Sequence, residues 1–326
     1  MAYQWGFVAL VLICTTLSGV ALAELSGEQN ETSLSVGISG TGPDTVSADL
    51  VLEEKIENLT AFVKKGVSYA KNNTKEDALA HFNDLTGEFV NGEQYLFAYD
   101  INGTTLALAY EPELIGTNRM NLTDSNGMEF FKAMTYIAGY GGGFIYYVYP
   151  NPAQNRSEQV KFTYVEPIND TWFVGSGFYL PHINAVIDKD AIAGLVSRVE
   201  QGAAFAESEG EEKSSAAFND INGTWSKDNT YLFSYGFDGM TLAMPYQPER
   251  VGTNRMDKTD KYGCLIARLE IDTAKAGGGF VYVAYYNPAS GKDELKFCYV
   301  LPVQGDRLVG SGIYTGSDLS VPDTTS

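Results

Sequence analysis

Histidine occurs twice and cysteine three times in 326 residues. That scarcity removes most catalytic chemistry at the outset. No Cys/His cluster with zinc spacing can be assembled, and His81 and His182 stand alone in unrelated contexts. The glycine triplet Gly141–Gly143 is not followed by the Gly-Lys-Ser/Thr of a phosphate loop. Only a carboxylate-based hydrolase would remain, so the expectation is a protein that is not an enzyme and has no cofactor or metal. Basic charge is also short. Against 41 Asp and Glu stand 22 Lys and Arg, a formal net charge of −19. A surface so acidic argues against nucleic acid or an anionic membrane as partner. Long apolar runs are missing except at the start, where "FVALVLIC" precedes "ALA" at Ala21–Ala23. This reads as an export signal over residues 1–23, cleaved or kept as an N-terminal membrane anchor.

Export places the remainder outside the cytoplasm, extracellular or at the cell surface. Eight Asn-x-Ser/Thr sequons between Asn30 and Asn222 agree with a glycosylated surface protein. Residues 24–47, rich in Gly, Ser and Thr, read as a flexible tether. With Cys14 in the leader, only Cys264 and Cys298 remain, either as a disulfide or as two buried thiols.

What the chain does have is a second copy of itself. "GTNRM" stands at Gly116–Met120 and at Gly252–Met256, and 252 − 116 = 136. At the same offset "YLFAYDINGTTLALAYEPELIGTNRMNLTDSNG" faces "YLFSYGFDGMTLAMPYQPERVGTNRMDKTDKYG", with 19 of 33 positions identical. "GGGF" and Asn-Pro recur too, and after the loss of one residue "KFTYVEP" meets "KFCYVLP" and "VGSGFY" meets "VGSGIY". Two domain-sized units follow, 48–182 and 183–317, with a tail at 318–326. The histidines fall at non-equivalent positions of this repeat.

Each unit predicts α+β architecture. Leu52, Ile56, Leu59, Val63, Val67 and Ala70 recur at helical spacing, with Ser47 or Asp49 as cap. The equivalent helix is expected from about Ala185 to Ala206. A shorter helix is expected near Ala78–Leu85, and another over Gly127–Ala138 capped by Asp124. "YLFAY", "TLALAY", "FIYYVY", "VKFTYV" and "WFVGSGFY" have the period of two and the aromatic content of strands. The glycine triplets are expected to turn with positive φ. A long helix leading into an antiparallel sheet interrupted by a short crossing helix looks like the PAS-like sensor modules. The string of Asn-Gly turn, "PELIGTN", "TD..G", Gly-rich turn, "YVYPNP", "KFTYVEP" and "WFVGSGFY" resembles the single Cache domain of extracellular sensors, here in tandem. The resemblance implies a small-molecule-binding or sensing ectodomain for small organic acids or amino acids. It implies action through a membrane receptor or signalling partner, because no output domain is present. A structural or adhesive surface protein reusing the fold without a ligand is the alternative.

In so acidic a chain the repeated basic residues carry most information. Arg119 matches Arg255 and Lys161 matches Lys296. An Arg fork suits a carboxylate and a Lys adds a point charge. Tyr99, Tyr147 and Tyr149 in the first unit, and Tyr235 and Tyr285 in the second, supply aromatic walls. The plainer readings are that Arg119 pairs with Asp124 to pin a loop, and that Lys161 snorkels from a sheet edge. Tyr147 becomes Val283, Asp100 becomes Gly236 and Thr163 becomes Cys298, so the two pockets are expected to differ. In "GTNRM" itself, Gly is expected to bend the chain, Asn to bond backbone, Arg to point inward and Met to pack beneath it.

Overall fold

The structure, a computed structural model, describes residues 43–227 and 230–319. The expected export signal, residues 24–42 of the expected tether and the tail beyond 319 lie outside them. Helix α1 spans Pro43–Asn72, so it starts within the expected tether, and Ser47 and Asp49 lie inside it rather than capping it. Leu59, Val63, Val67 and Ala70 form its buried stripe. Helix α2 follows at Lys75–Phe82, where the Thr74 Oγ1 accepts from the Asp77 backbone amide at 3.1 Å.

After a short hairpin of Val90–Asn91 and Gln94–Tyr95, the first repeat builds one five-stranded antiparallel sheet: β1 (Phe97–Asp100), β2 (Thr105–Leu108), β3 (Gly143–Asn151), β4 (Ser157–Asn169) and β5 (Trp172–Leu180). Their spatial order is β2-β1-β5-β4-β3. Helix α3 (Phe130–Gly139) connects β2 to β3. The alternation of strand side chains divides two aromatic layers. Tyr146 and Phe162 face Leu52 and Ile56 of α1, whereas Tyr147 stacks on Phe130 of α3 at 4.6 Å.

The second repeat rebuilds this pattern. Helix α4 spans Lys189–Asn219 and α5 Ile266–Lys275. Strands β6 (Phe233–Gly236), β7 (Thr241–Ala243), β8 (Gly279–Asn287), β9 (Lys292–Val303) and β10 (Arg307–Asp318) are ordered β7-β6-β10-β9-β8. Helix α4 begins four residues later than Ala185, capped by Asp188, whose Oδ1 accepts from the amides of Asp190 and Ala191. It also continues past Ala206 to take in the equivalent of α2. The join is Gly210, with φ 79° and ψ 175°, and 74 + 136 = 210. A glycine break stands where the first repeat uses a threonine cap. The break orphans helix carbonyls, and buried Arg307 covers one: its guanidinium donates to Ala206 O and Ser214 Oγ, both at 2.9 Å.

The glycine triplets turn as expected. Gly142 and Gly278 have φ of 112° and 100°. A Cβ at either would lie 2.7 or 2.8 Å from the carbonyl oxygen of Val165 or Val300, so close packing adds to the dihedral requirement. Asp124 is not the cap of α3, which starts at Phe130 with no side-chain cap bond. It closes the preceding turn, accepting from the amides of Asn126 (3.0 Å) and Met128 (2.9 Å), and reaches Val148 N on β3 (3.1 Å). Cys264 and Cys298 are both buried free thiols.

The repeats meet through β3 and β8, and through α3 and α5. Tyr146 Oη donates to Asp260 Oδ2 (3.3 Å), and Asn126 Nδ2 donates to Tyr282 Oη (2.6 Å) and to Ala185 O (2.6 Å). Tyr146 and Tyr282 are equivalent positions, as are Asp124 and Asp260. Each repeat therefore presents a strand tyrosine to the other's turn.

Candidate functional site

"GTNRM" is a loop laid on the β1–β2 hairpin by its backbone. Gly116 (φ 84°) and Gly252 (φ 77°) make the bend. Asn118 Nδ2 donates to Asn102 O, and Asn254 Nδ2 to Asp238 O, each at 2.7 Å. The amides of Arg119 and Arg255 donate to Gly103 O and Gly239 O, each at 2.8 Å. Met120 and Met256 pack over those hairpin glycines.

Arg119 leans inward. Its guanidinium carbon lies 4.8 Å from the Phe131 ring centre, and Nη1 donates to Tyr149 Oη at 3.2 Å. Asp124 is held by backbone amides instead, so the alternative Arg119–Asp124 pin is replaced by a bond to an aromatic wall. Tyr149 Oη donates in turn to Glu111 Oε2 (2.7 Å), and Arg156 Nη2 donates to Glu111 Oε1 (2.6 Å). Burial opposes ionisation of Glu111, but the bonds from Tyr149 and Arg156 outweigh it and hold its pKa below the usual carboxylate value.

Below this chain of bonds lies a cavity of about 10 Å³ between sheet and α3, lined by Tyr99, Tyr147, Tyr149 and Lys161 with Phe130, Phe131 and Met134 among its walls. It has room for one water-sized group. Lys161 is on β4, inside the sheet rather than at its edge, and is 1 % exposed. Its Nζ donates to Tyr95 Oη (3.3 Å) and lies 4.4 Å from the Tyr95 ring centre and 4.9 Å from that of Tyr179. Burial pulls its pKa down from 10.5 to about 7, against the more distant Glu93 and Glu111. The first pocket thus buries a cation with aromatic partners and, among the described residues, no carboxylate in hydrogen-bond or ion-pair contact.

The equivalent cavity in the second repeat, also about 10 Å³, is lined by Tyr235, Tyr285 and Lys296 together with Tyr231, Glu270 and Cys298. Lys296 is 2 % exposed, with Nζ 3.9 Å from the Tyr231 ring centre and 5.0 Å from that of Tyr314. Burial presses its pKa down, but Tyr231, Cys298 and Glu270 carry it above the ordinary lysine value. Arg255 acts on Tyr235 and Tyr285 by its charge. The bond to the wall tyrosine comes from Arg250, whose Nη1 donates to Tyr285 Oη at 2.8 Å. Leu114 holds that place in the first repeat, where nothing comparable can form.

All nine sequence-derived candidates therefore gather at two equivalent places, with Arg119 and Arg255 at the rims. The sequence reading missed the lysine-caging Tyr95, Tyr179, Tyr231 and Tyr314, and the charged Glu111, Arg250 and Glu270. Glu270 had a usable signal: it interrupts the apolar face Ile266, Ala267, Ile271 and Ala274 of α5, where the first repeat has Met134. A larger cleft of about 250 Å³ between α3 and α5 is lined by Glu129, Lys132, Tyr136, Thr273 and Phe280. Its Lys132 and Glu129 pair with each other at 2.6 Å.

The chain is similar to several known proteins. The sensor histidine kinase MctS of Rhizobium johnstonii is 35 % identical over 91 residues, 28 % of this chain and 20 % of that protein's length. A methyl-accepting chemotaxis protein from Vibrio parahaemolyticus aligns with a TM-score of 0.35 and 20 % identity, over 39 % of this chain and 90 % of its own. A Cache chemosensory domain solved for carboxylic acid recognition aligns with a TM-score of 0.30 and 22 % identity, over 42 % and 92 %. The family model described as Cache domain matches residues 49–317 in one stretch, across both repeats. The chain belongs to the Cache domain family.

Proposed function

We propose that the chain is a small-molecule sensor whose first repeat binds a small carboxylate through Lys161 and Arg119. The observation that carries this reading is the buried Lys161, a cation in an aromatic box with no acid in contact among the described residues. Such a charge is costly to bury unless it is paired, and an incoming carboxylate supplies the pair. Arg119, now bonded to Tyr149 at the rim, offers its fork to the same group. Entry requires that bond to yield and α3 to give way, because the cavity as it stands holds no more than a water. Two units with boundaries near 48–182 and 183–317, an extracellular or periplasmic position and a membrane-bound signalling partner complete the proposal. The family membership supports it, as does the matched segment of a sensor histidine kinase. No reaction is assigned to the chain.

The tightness of both cavities favours a second reading, a structural surface protein without a ligand. A thermal-shift series with formate, acetate, propionate, pyruvate and simple amines separates the two. An acid present at 100 times the first pocket's dissociation constant stabilises by about 2.7 kcal/mol through that pocket, and Lys161→Met removes the first pocket's share of the gain. A melting temperature unmoved by every acid would leave only the structural reading.

A further inference from the structure

The two pockets differ most at one helix position. Met134 on α3 faces the first cavity, and Glu270 on α5, at the same place by the 136-residue offset, faces the second. Glu270 is 2 % exposed, and among the described residues its Oε2 has no hydrogen-bond partner. Groups facing it from the surrounding elements are Lys296 and Cys298 on β9, Tyr235 on β6, Tyr285 on β8 and Tyr231 ahead of β6. Arg255 and Arg250 stand at the rim. The Lys296 charge and the Cys298 thiol both favour the ionised form of the Glu270 carboxyl. A ligand carboxylate drawn to Lys296 would therefore meet a second carboxyl group in a cavity too small to separate them. Two carboxylates confined to one site cannot both stay ionised.

We propose that the second pocket takes a ligand carboxylate only together with a proton, shared between that carboxylate and Glu270. This rests on the reading of the pockets as carboxylate sites. In the empty pocket burial pushes the Glu270 carboxyl up to about 8, with Lys296 and the Cys298 thiol pulling it back, so the proton is already present at neutral pH. Above that value, binding must take a proton from solvent, and affinity falls by about tenfold for each pH unit. Lys296, raised above its ordinary value, stays charged across the same range. The free Oε2 is then a donor or acceptor waiting for the ligand oxygen.

The test uses Lys161→Met to silence the first pocket and follows acetate and propionate binding by calorimetric titration from pH 6.5 to 9.5. Lys161→Met is expected to bind one equivalent at pH 6.5 and to lose about tenfold in affinity per unit above pH 8. Adding Glu270→Met, or Glu270→Gln as the isosteric control, should leave a profile that is flat to pH 9.5. Thermal melts at each pH verify that the variants are folded. A flat profile in Lys161→Met overturns the proposal, and so does a profile unchanged by either Glu270 substitution. No binding to Lys161→Met at pH 6.5, with one equivalent bound by the unsubstituted chain, overturns it as well. An unsubstituted chain that binds neither acid removes the carboxylate reading itself, which is a different result.

Discussion

Replacing Lys161 by Met should stabilise the ligand-free protein, a gain unusual for a substitution at a buried charged residue. The fall of the lysine pKa from 10.5 to about 7 corresponds to about 5 kcal/mol of burial cost, at 1.36 kcal/mol per pH unit. The two nearest rings, Tyr95 at 4.4 Å and Tyr179 at 4.9 Å, offset about 2 kcal/mol of this by cation–π attraction. About 3 kcal/mol remains, and methionine fills nearly the same volume without a charge. The pH dependence fixes the sign. Between about pH 7 and 10.5 the unfolded chain holds a proton on this lysine that the folded chain has released. Stability from this group therefore rises as pH climbs through that window, and is flat below and above it. Urea unfolding of both proteins at pH 6.5, 8 and 9.5 measures the difference directly. The variant should lead by about 3 kcal/mol at pH 6.5, with the lead shrinking toward pH 9.5. Saturating acid ligand should narrow the gap by the first pocket's share of the binding energy, which Lys161→Met lacks. A variant that is less stable at pH 6.5 would refute the reasoning, because Lys161 would then be a satisfied structural residue.

Arg119→Ala should weaken acid binding by about 1.5–3 kcal/mol in calorimetric titration, with Arg119→Lys recovering only part, since the fork is lost; a lower melting temperature with affinity unchanged would make Arg119 a loop pin. Arg307→Met should cost about 3 kcal/mol in a urea melt, because it strips the charged donor from Ala206 O and Ser214 Oγ at the α4 break. Gly142→Ala should cost about 2 kcal/mol or more by the same measurement, from positive φ and the approach to Val165 O.

Much of this fold was legible in the sequence because duplication supplies an internal control. Aromatic strands kept their period of two in both copies, so both sheets and their crossing helices were placed to within a few residues. Element ends were harder. Pro43 starts α1 inside a stretch whose Gly, Ser and Thr content reads as tether, and Asp124 looks the same in sequence whether it caps a helix or closes the turn before one. Arg307, standing where the first repeat has Trp172, is not recognisable as buried until the helix break at Gly210 gives it a carbonyl to bind. Pocket volume was beyond reach altogether, since it depends on how large side chains from four strands and a helix interlock.

The motif that first exposed the duplication also shows what identity between copies records. In both, Gly bends the loop, Asn bonds the hairpin carbonyl and the Arg amide bonds the hairpin glycine, at matching distances. The arginine side chains do not share a role to the same degree. Arg119 donates to the wall tyrosine in the first repeat, whereas in the second the equivalent hydroxyl is taken by Arg250. The five shared residues therefore record a loop conformation common to both pockets. Charge at Lys161, at Lys296 with Glu270, and at Arg250 sets what each pocket can hold. Divergence between the repeats, more than their identity, is what separates the two proposed carboxylate sites.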